Sequence, residues 1–216
     1  MEPHNPFVAA RFLLSVAALP QLPAPDRPEI AFAGRSNAGK SSALNTITNK
    51  KALARVSKTP GRTQLLNFFE QDNARLVDLP GYGYAKVPEP TRRQWGKLVG
   101  GYIETRESLV GVVIIMDIRH PLTDYDLQML EWTQAYRRRV HVLLTKADKL
   151  AFGAAKNQLL AVQKALSELE NVEASAQLFS SHKRTGCEEA RKTLSGWIAD
   201  ASERFASPEE NATQPE

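Results

Sequence analysis

The residues of this chain best suited to chemistry lie in Gly34-Arg35-Ser36-Asn37-Ala38-Gly39-Lys40-Ser41. The run matches the spacing G-x-x-x-x-G-K-[ST] at every fixed position. Glycines at those places let the backbone curl until successive N–H groups converge on phosphate oxygens. A helix opening there adds the partial positive charge of its N-terminus. In such a loop Lys40 bridges the β and γ phosphates and the Ser41 hydroxyl ligates Mg²⁺. The flanks have the required character. The apolar run Ile30-Ala31-Phe32-Ala33 reads as a strand, and Ser42 to Thr48 reads as a helix.

Further runs extend this chemistry. Asp78-Leu79-Pro80-Gly81 ends an apolar segment about 40 residues past the phosphate loop. In isolation D-x-x-G is a common turn. After a strand of a phosphate-binding domain, the Asp78 carboxylate holds Mg²⁺ through water and the Gly81 N–H senses a γ phosphate. Thr145-Lys146-Ala147-Asp148 ends another apolar run, Val140 to Leu144. It fits the base-reading pattern [NT]-K-x-D. The Asp148 carboxylate accepts two hydrogen bonds from N1–H and the exocyclic amine of guanine, and adenine offers no such donor pair. Each bond lost to a charged group costs about 1.5–3 kcal/mol. The Lys146 stem can lie over the base plane. The alternative for this tetrapeptide is a solvated ion pair. Phe179-Ser180-Ser181 ends the last apolar run, where GTPases often present a backbone N–H to guanine O6. There the usual Ser-Ala-Lys is replaced by Ser181-His182-Lys183.

A second Mg²⁺ ligand is expected in Lys58-Thr59-Pro60-Gly61-Arg62-Thr63. Thr63 is preferred over Thr59 because it directly precedes the apolar run Leu65 to Glu70, as a switch threonine reaching over the γ phosphate should. Two residues bear on mechanism. Tyr82 follows Asp78-Leu79-Pro80-Gly81, where a glutamine would orient the attacking water. A tyrosine cannot do this in the same way, so slow intrinsic hydrolysis is expected, with water or an external group completing the site. Asn37, inside the phosphate loop, leaves two readings open. It either stabilises the turn or helps hold K⁺ against the phosphates, replacing the charge of an arginine finger.

These loops require a scaffold that brings strand ends together. The apolar runs are Ile30 to Ala33, Leu65 to Glu70, Ala74 to Leu79, Leu109 to Ile118, Val140 to Thr145 and Ala176 to Phe179. Gln71-Asp72-Asn73 reads as a hairpin turn, making its two strands antiparallel neighbours. Helical spacing marks Arg92 to Arg106, Asp124 to Tyr136, Gly153 to Leu169 and Glu188 to Phe205. Alternation of strand and helix predicts an α/β domain: a mostly parallel six-stranded sheet with one antiparallel strand and helices on both faces. Trp95, Trp132 and Trp197 sit in helical patterns and read as packing residues. His120, before Pro121, reads as a turn residue. Arg137-Arg138-Arg139 reads as a helix end whose cations favour the dipole.

Composition sets the remaining bounds. The chain has 216 residues, net charge +4 and 42% hydrophobic content, which suits one compact domain. No apolar run approaches the ~20 residues needed to cross a bilayer. Arg11 interrupts the apolar stretch Phe7 to Leu19 and no basic segment precedes it, so residues 1–22 read as an extension packing on the domain as strand or helix, not as a signal peptide. Residues 23–206 form the domain itself. Residues 207–216, with three glutamates and no Lys or Arg, read as a disordered acidic tail. Without those three negative charges the remainder carries +7, which permits a nucleic-acid partner. Between Ser41 and Phe69 there is no Asp or Glu, whereas Lys50, Lys51, Arg55, Lys58 and Arg62 are present. A basic surface overlapping the first switch can take RNA phosphates in one nucleotide state and release them in the other. The single cysteine, Cys187, fits a reducing cytoplasmic setting.

Together the motifs resemble the EngB (YihA/YsxC) family of bacterial GTPases. The resemblance is carried by the segments 28–42, Thr59 to Gln64, Val77-Asp78-Leu79-Pro80-Gly81-Tyr82-Gly83-Tyr84-Ala85, Asp117-Ile118-Arg119-His120 and Thr145 to Asp148. It covers roughly residues 7 to 200. It implies a Mg²⁺-dependent GTPase, a monomer, that assists assembly of the large (50S) ribosomal subunit through rRNA or ribosomal proteins and is needed for normal cell division and septation. It also implies nucleotide contacts at Gly34–Ser41, at Gly61, Arg62, Thr63, Gln64 and Leu65, at Asp78, Leu79, Pro80 and Gly81, at Thr145, Lys146, Ala147 and Asp148, and at Phe179, Ser180 and Ser181. The implied Mg²⁺ ligands are Ser41 and Thr63. Two other readings are an ATP-dependent kinase, which leaves Asp148 unexplained, and a GTP-binding scaffold that does not hydrolyse.

Overall fold

The computed structural model describes residues 5–54, 65–82 and 89–205, with the side chains of 89–95 excepted. In chain order the strands are β1 (Arg11–Val16), β2 (Glu29–Gly34), β3 (Leu66–Gln71), β4 (Ala74–Asp78), β5 (Leu109–Asp117), β6 (Arg139–Thr145) and β7 (Ala174–Leu178). The helices are α1 (Lys40–Ile47), α2 (Glu89–Thr105), α3 (Asp124–Ala135), α4 (Phe152–Ser167) and α5 (Cys187–Phe205). Short 3₁₀ turns at Leu19–Gln21 and Ala147–Lys149 complete the described elements.

The strands form one sheet in the order β1-β3-β4-β2-β5-β6-β7. The expected six strands become seven because Arg11–Val16 pairs antiparallel with β3, with a bulge between Phe12 and Leu14. β3 is also antiparallel to β4, so it alone opposes the parallel strands around it. The turn joining β3 and β4 is tighter than expected: Gln71 and Ala74 pair, leaving Asp72 and Asn73 as its two residues.

Alternation along each buried strand divides the core in two. Ala31, Ala33, Val112, Ile114 and Met116 face α2, α3 and α4 through residues such as Tyr102, Met129 and Val162. Ile30, Phe32, Val113 and Ile115 face α1 and α5 through Leu44, Ile47, Leu194 and Trp197. A strand buried on both faces reads as a continuous apolar run for this reason. Trp197 covers Gly111 so closely that a Cβ there would lie 2.4 Å from its ring. Arg138 corrects one expectation. It lies beyond the end of α3 and donates to the carbonyls of Ile103 (2.9 Å), Glu104 (3.2 Å) and Leu109 (3.2 Å), so it serves the end of α2. At the amino-terminal end of the sheet the fully buried Glu29 accepts from the Tyr102 hydroxyl (2.9 Å) and the Arg106 guanidinium (Nε, 2.8 Å). That pairing makes a carboxylate tolerable there.

Candidate functional site

The five parallel strands β2, β4, β5, β6 and β7 release the chain at one edge of the sheet. From β2 the chain crosses to the β3–β4 side, then returns past β2 to β5. Ligands of open α/β sheets bind outside the carboxyl ends at such a reversal. Gly34–Ser41 follows β2, Asp78–Gly81 ends β4, Thr145–Asp148 ends β6, and Phe179–Ser181 follows β7. The described site runs therefore meet at one edge. Gly61, Arg62, Thr63 and Gln64 lie outside the described residues, and Leu65 directly precedes β3.

The phosphate loop turns through left-handed backbone at Asn37 (φ 63°) and Gly39 (φ 102°). Gly39 caps α1, which begins two residues ahead of the expected start. Lys40 and Ser41 thus occupy its first turn, where N–H groups have no partner within the helix. The three described glycines of the site have different physical reasons. A Cβ on Gly34 would lie 2.9 Å from the Ile115 Cβ and carbonyl oxygen, so close packing against β5 demands glycine. At Gly39 the left-handed φ demands it. A Cβ on Gly81 would meet nothing nearer than 3.6 Å, and its φ is not left-handed. The protein's own packing therefore leaves room at Gly81 for a group brought from outside.

Lys40 Nζ pairs with Asp78 Oδ1, both side chains largely shielded from solvent. A cation at the start of α1 and an anion at the end of β4 thus lie side by side. The Ser41 hydroxyl and Asp78 carboxylate are hard oxygen donors and fit Mg²⁺ held jointly with phosphate oxygens.

The turn that ends β6 is joined directly to the loop that follows β2. The Thr145 hydroxyl contacts the carbonyl oxygens of Ala38 and, at 3.1 Å, Met116. Lys146, itself left-handed (φ 58°), donates from Nζ to the Asn37 carbonyl (2.7 Å) and Asp117 Oδ2 (2.8 Å). Asp117 also accepts from Arg119 Nε (2.9 Å) and Nη2 (2.6 Å). Burial acts to raise the Asp117 carboxyl, but the bonds from Arg119 and Lys146 hold it well below the usual carboxylate range. The sequence offers Asp117 only as part of a motif; here it anchors Lys146.

Asp148 accepts from the Ser180 hydroxyl at 2.6 Å. That bond lowers the Asp148 carboxyl below its ordinary value against a smaller opposing effect of burial. Ser180 Oγ in turn accepts the Lys183 N–H at 3.1 Å. The backbone of the last run is partly committed within the protein. The Phe179 N–H is bonded to the Leu144 carbonyl (2.9 Å) and the Ser180 N–H to the Thr185 carbonyl (3.1 Å), while the Phe179 ring is fully buried. Two of the three backbone donors are committed internally, and Ser180 contributes its hydroxyl to Asp148.

Tyr82 is almost wholly buried, and its hydroxyl donates to Asp126 Oδ1 at 2.8 Å. Burial foremost, with the Asp126 charge, pushes the phenol well above its usual range. Asp126 escaped the sequence reading as a site residue. The available signal was Thr123-x-x-Asp126, a helix-start pattern with no hint of a partner 44 positions away.

The protein family described as 50S ribosome-binding GTPase matches residues 29–146. The chain is 54% identical over 203 residues to the probable GTP-binding protein EngB of Azoarcus sp. (strain BH72), spanning 94% of this chain and 97% of that protein. A crystal structure of a probable GTP-binding protein EngB superposes with TM-score 0.64 at 22% identity, covering 80% of this chain and 99% of that one. The Era structure solved with MgGDPNP and a 16S ribosomal RNA segment superposes with TM-score 0.59 at 20% identity, covering 80% and 57%. On the extent of these matches, the chain belongs to the EngB family of GTP-binding proteins, with a domain of the 50S ribosome-binding GTPase type.

Proposed function

We propose that this chain is a Mg²⁺-dependent GTP-hydrolysing switch of the cytoplasm that assists assembly of the large ribosomal subunit and thereby supports cell division and septation. The observation that carries it is the meeting of phosphate loop, Asp78–Gly81 and Thr145–Asp148 at one sheet edge, with Lys146 and Thr145 tied to the phosphate loop. Phosphate and base recognition are thus coupled through protein hydrogen bonds. The loop N–H groups and Lys40 neutralise phosphate charge, Asp148 selects guanine, and the Gly81 N–H faces the γ phosphate. Ser41 and Thr63 would hold Mg²⁺, with Asp78 near Ser41's helix, and the bound ion would supply further charge neutralisation on the phosphates. Because Tyr82 points its hydroxyl into the protein at Asp126, slow unassisted hydrolysis is expected. K⁺ beside the exposed Asn37 supplies charge under this reading, and rates unchanged on replacing Na⁺ by K⁺ would remove that element. Lys50 and Lys51, after α1, begin the basic segment assigned to RNA phosphates.

Co-sedimentation with purified 50S subunits tests the switch. Binding should differ between a non-hydrolysable GTP analogue, GDP and no nucleotide. Equal pelleting in all three states contradicts the proposal.

A further inference from the structure

Tyr82 is held from three sides. Its main chain bridges to the phosphate loop: the Tyr82 N–H donates to the Gly34 carbonyl at 3.3 Å, and its carbonyl accepts the Ser36 N–H at 2.8 Å. Its ring is 3% exposed and packs at a tilt against Tyr125, with 6.2 Å between centroids. Its hydroxyl donates to Asp126 Oδ1 at 2.8 Å. Asp126 is 2% exposed and is the third residue of α3. Its other oxygen accepts the Thr123 N–H (3.0 Å) and hydroxyl (2.7 Å). The carboxylate is thus shared between the helix cap and Tyr82. A buried carboxylate deprived of one donor is costly, so the position of Tyr82 is strongly specified.

One residue earlier stands Gly81, whose missing side chain is not required by packing. We propose that Tyr82 is a positioning residue for γ-phosphate sensing. Through Asp126 it fixes the Gly81 N–H against the phosphate loop and so sets the preference of the site for GTP over GDP, taking no part in activating water. The inference rests on reading this site as a GTP switch. Two features support it. The polar tip of Tyr82 is spent on α3, whereas a water-orienting group must direct its polar atoms toward the phosphates. The γ phosphate is the group that distinguishes GTP from GDP, so an error confined to Gly81 falls on one nucleotide and not the other.

The test compares binding of GDP and of a non-hydrolysable GTP analogue to the full-length chain, with thermal unfolding measured alongside. Y82F removes the hydroxyl and keeps the ring. GDP affinity should stay within about twofold, and analogue affinity should fall about 5- to 10-fold, the scale of one bond to a charged group lost in part. D126A approaches the same bond from the other partner. It should lower the analogue-to-GDP ratio similarly, and the double variant should add little to either single. T123A removes a donor from the other oxygen of Asp126 but leaves the Tyr82 bond in place, so it should reduce stability with the ratio unchanged. A Y82F protein of normal ratio overturns the proposal, as does equal loss for both nucleotides or an equal ratio change in T123A. Failure of the unaltered protein to bind either nucleotide overturns the site reading itself, a distinguishable result.

Discussion

Replacing Ser180 by alanine removes one hydroxyl that joins two loops. That hydroxyl donates to Asp148 Oδ1 at 2.6 Å and accepts the Lys183 N–H at 3.1 Å. Ser180 is fully buried, whereas Lys183 is exposed, so water can replace the second bond. The first is harder to replace. A hydrogen bond to a charged group is worth about 1.5–3 kcal/mol. The Asp148 side chain keeps 11% of its surface exposed, and water recovers part of the loss. A net effect of about 1–1.5 kcal/mol corresponds to roughly 5- to 10-fold weaker guanine-nucleotide binding. Ser180 bonds at the base end of the site and Lys40 lies at the phosphate end, so GDP and a non-hydrolysable GTP analogue should weaken equally. Inosine diphosphate, which lacks the exocyclic amine, should lose less. Fluorescent-nucleotide titration with all three ligands reads these ratios. Unchanged GDP affinity, or a loss confined to the GTP analogue, refutes the assigned link between Ser180 and Asp148.

Three further outcomes follow from the geometry. Gly34→Ala places a methyl 2.9 Å from Ile115 and should destabilise the fold by about 1–3 kcal/mol. Gly81→Ala meets only ordinary contacts and should leave thermal stability within about 1 kcal/mol of the parent while weakening GTP-analogue binding relative to GDP; the reverse pattern in calorimetry and titration contradicts the roles given to these glycines. His141 is buried between Ser175 Oγ and Gln177 Oε1, each at 2.8 Å. Burial holds it below its ordinary value of 6.5, partly offset by the Gln177 bond. The folded chain therefore keeps it neutral where the unfolded chain binds a proton. Its stabilisation is present above pH 6.5 and is lost as pH falls through that value, with a slope of at most ~1.4 kcal/mol per pH unit. Urea unfolding at a series of pH values should show this slope reduced in His141→Gln; an identical slope refutes it.

The phosphate loop was legible because Gly39 and Lys40 answer local needs, a left-handed φ and a helix opening, although Gly34 answers to packing against Ile115. β5 was legible because a strand covered on both faces must be apolar throughout. β1 stayed open between strand and helix because it is an edge: Arg11 and Phe12 are exposed and a bulge breaks its alternation. Joins across long sequence separations carried no local signal. Thr145 meets Ala38 across 107 positions and Lys146 meets Asn37 across 109; nothing in a tetrapeptide reveals which carbonyl its lysine will find. The bond from the Ser180 hydroxyl to Asp148 carried no local signal for a related reason: it joins turns 32 positions apart, while the return of the chain at Thr185 takes the Ser180 N–H.

Selection of guanine by Asp148 is tested most directly with Asp148→Asn, assayed by calorimetric titration with guanosine and xanthosine diphosphates. An amide at this position donates to the 2-oxo group of xanthine and cannot accept both guanine donors. Affinity should fall at least ~10-fold for guanosine diphosphate and rise for xanthosine diphosphate, reversing the preference. Unaltered guanosine diphosphate affinity in a folded variant contradicts base reading at this edge of the sheet.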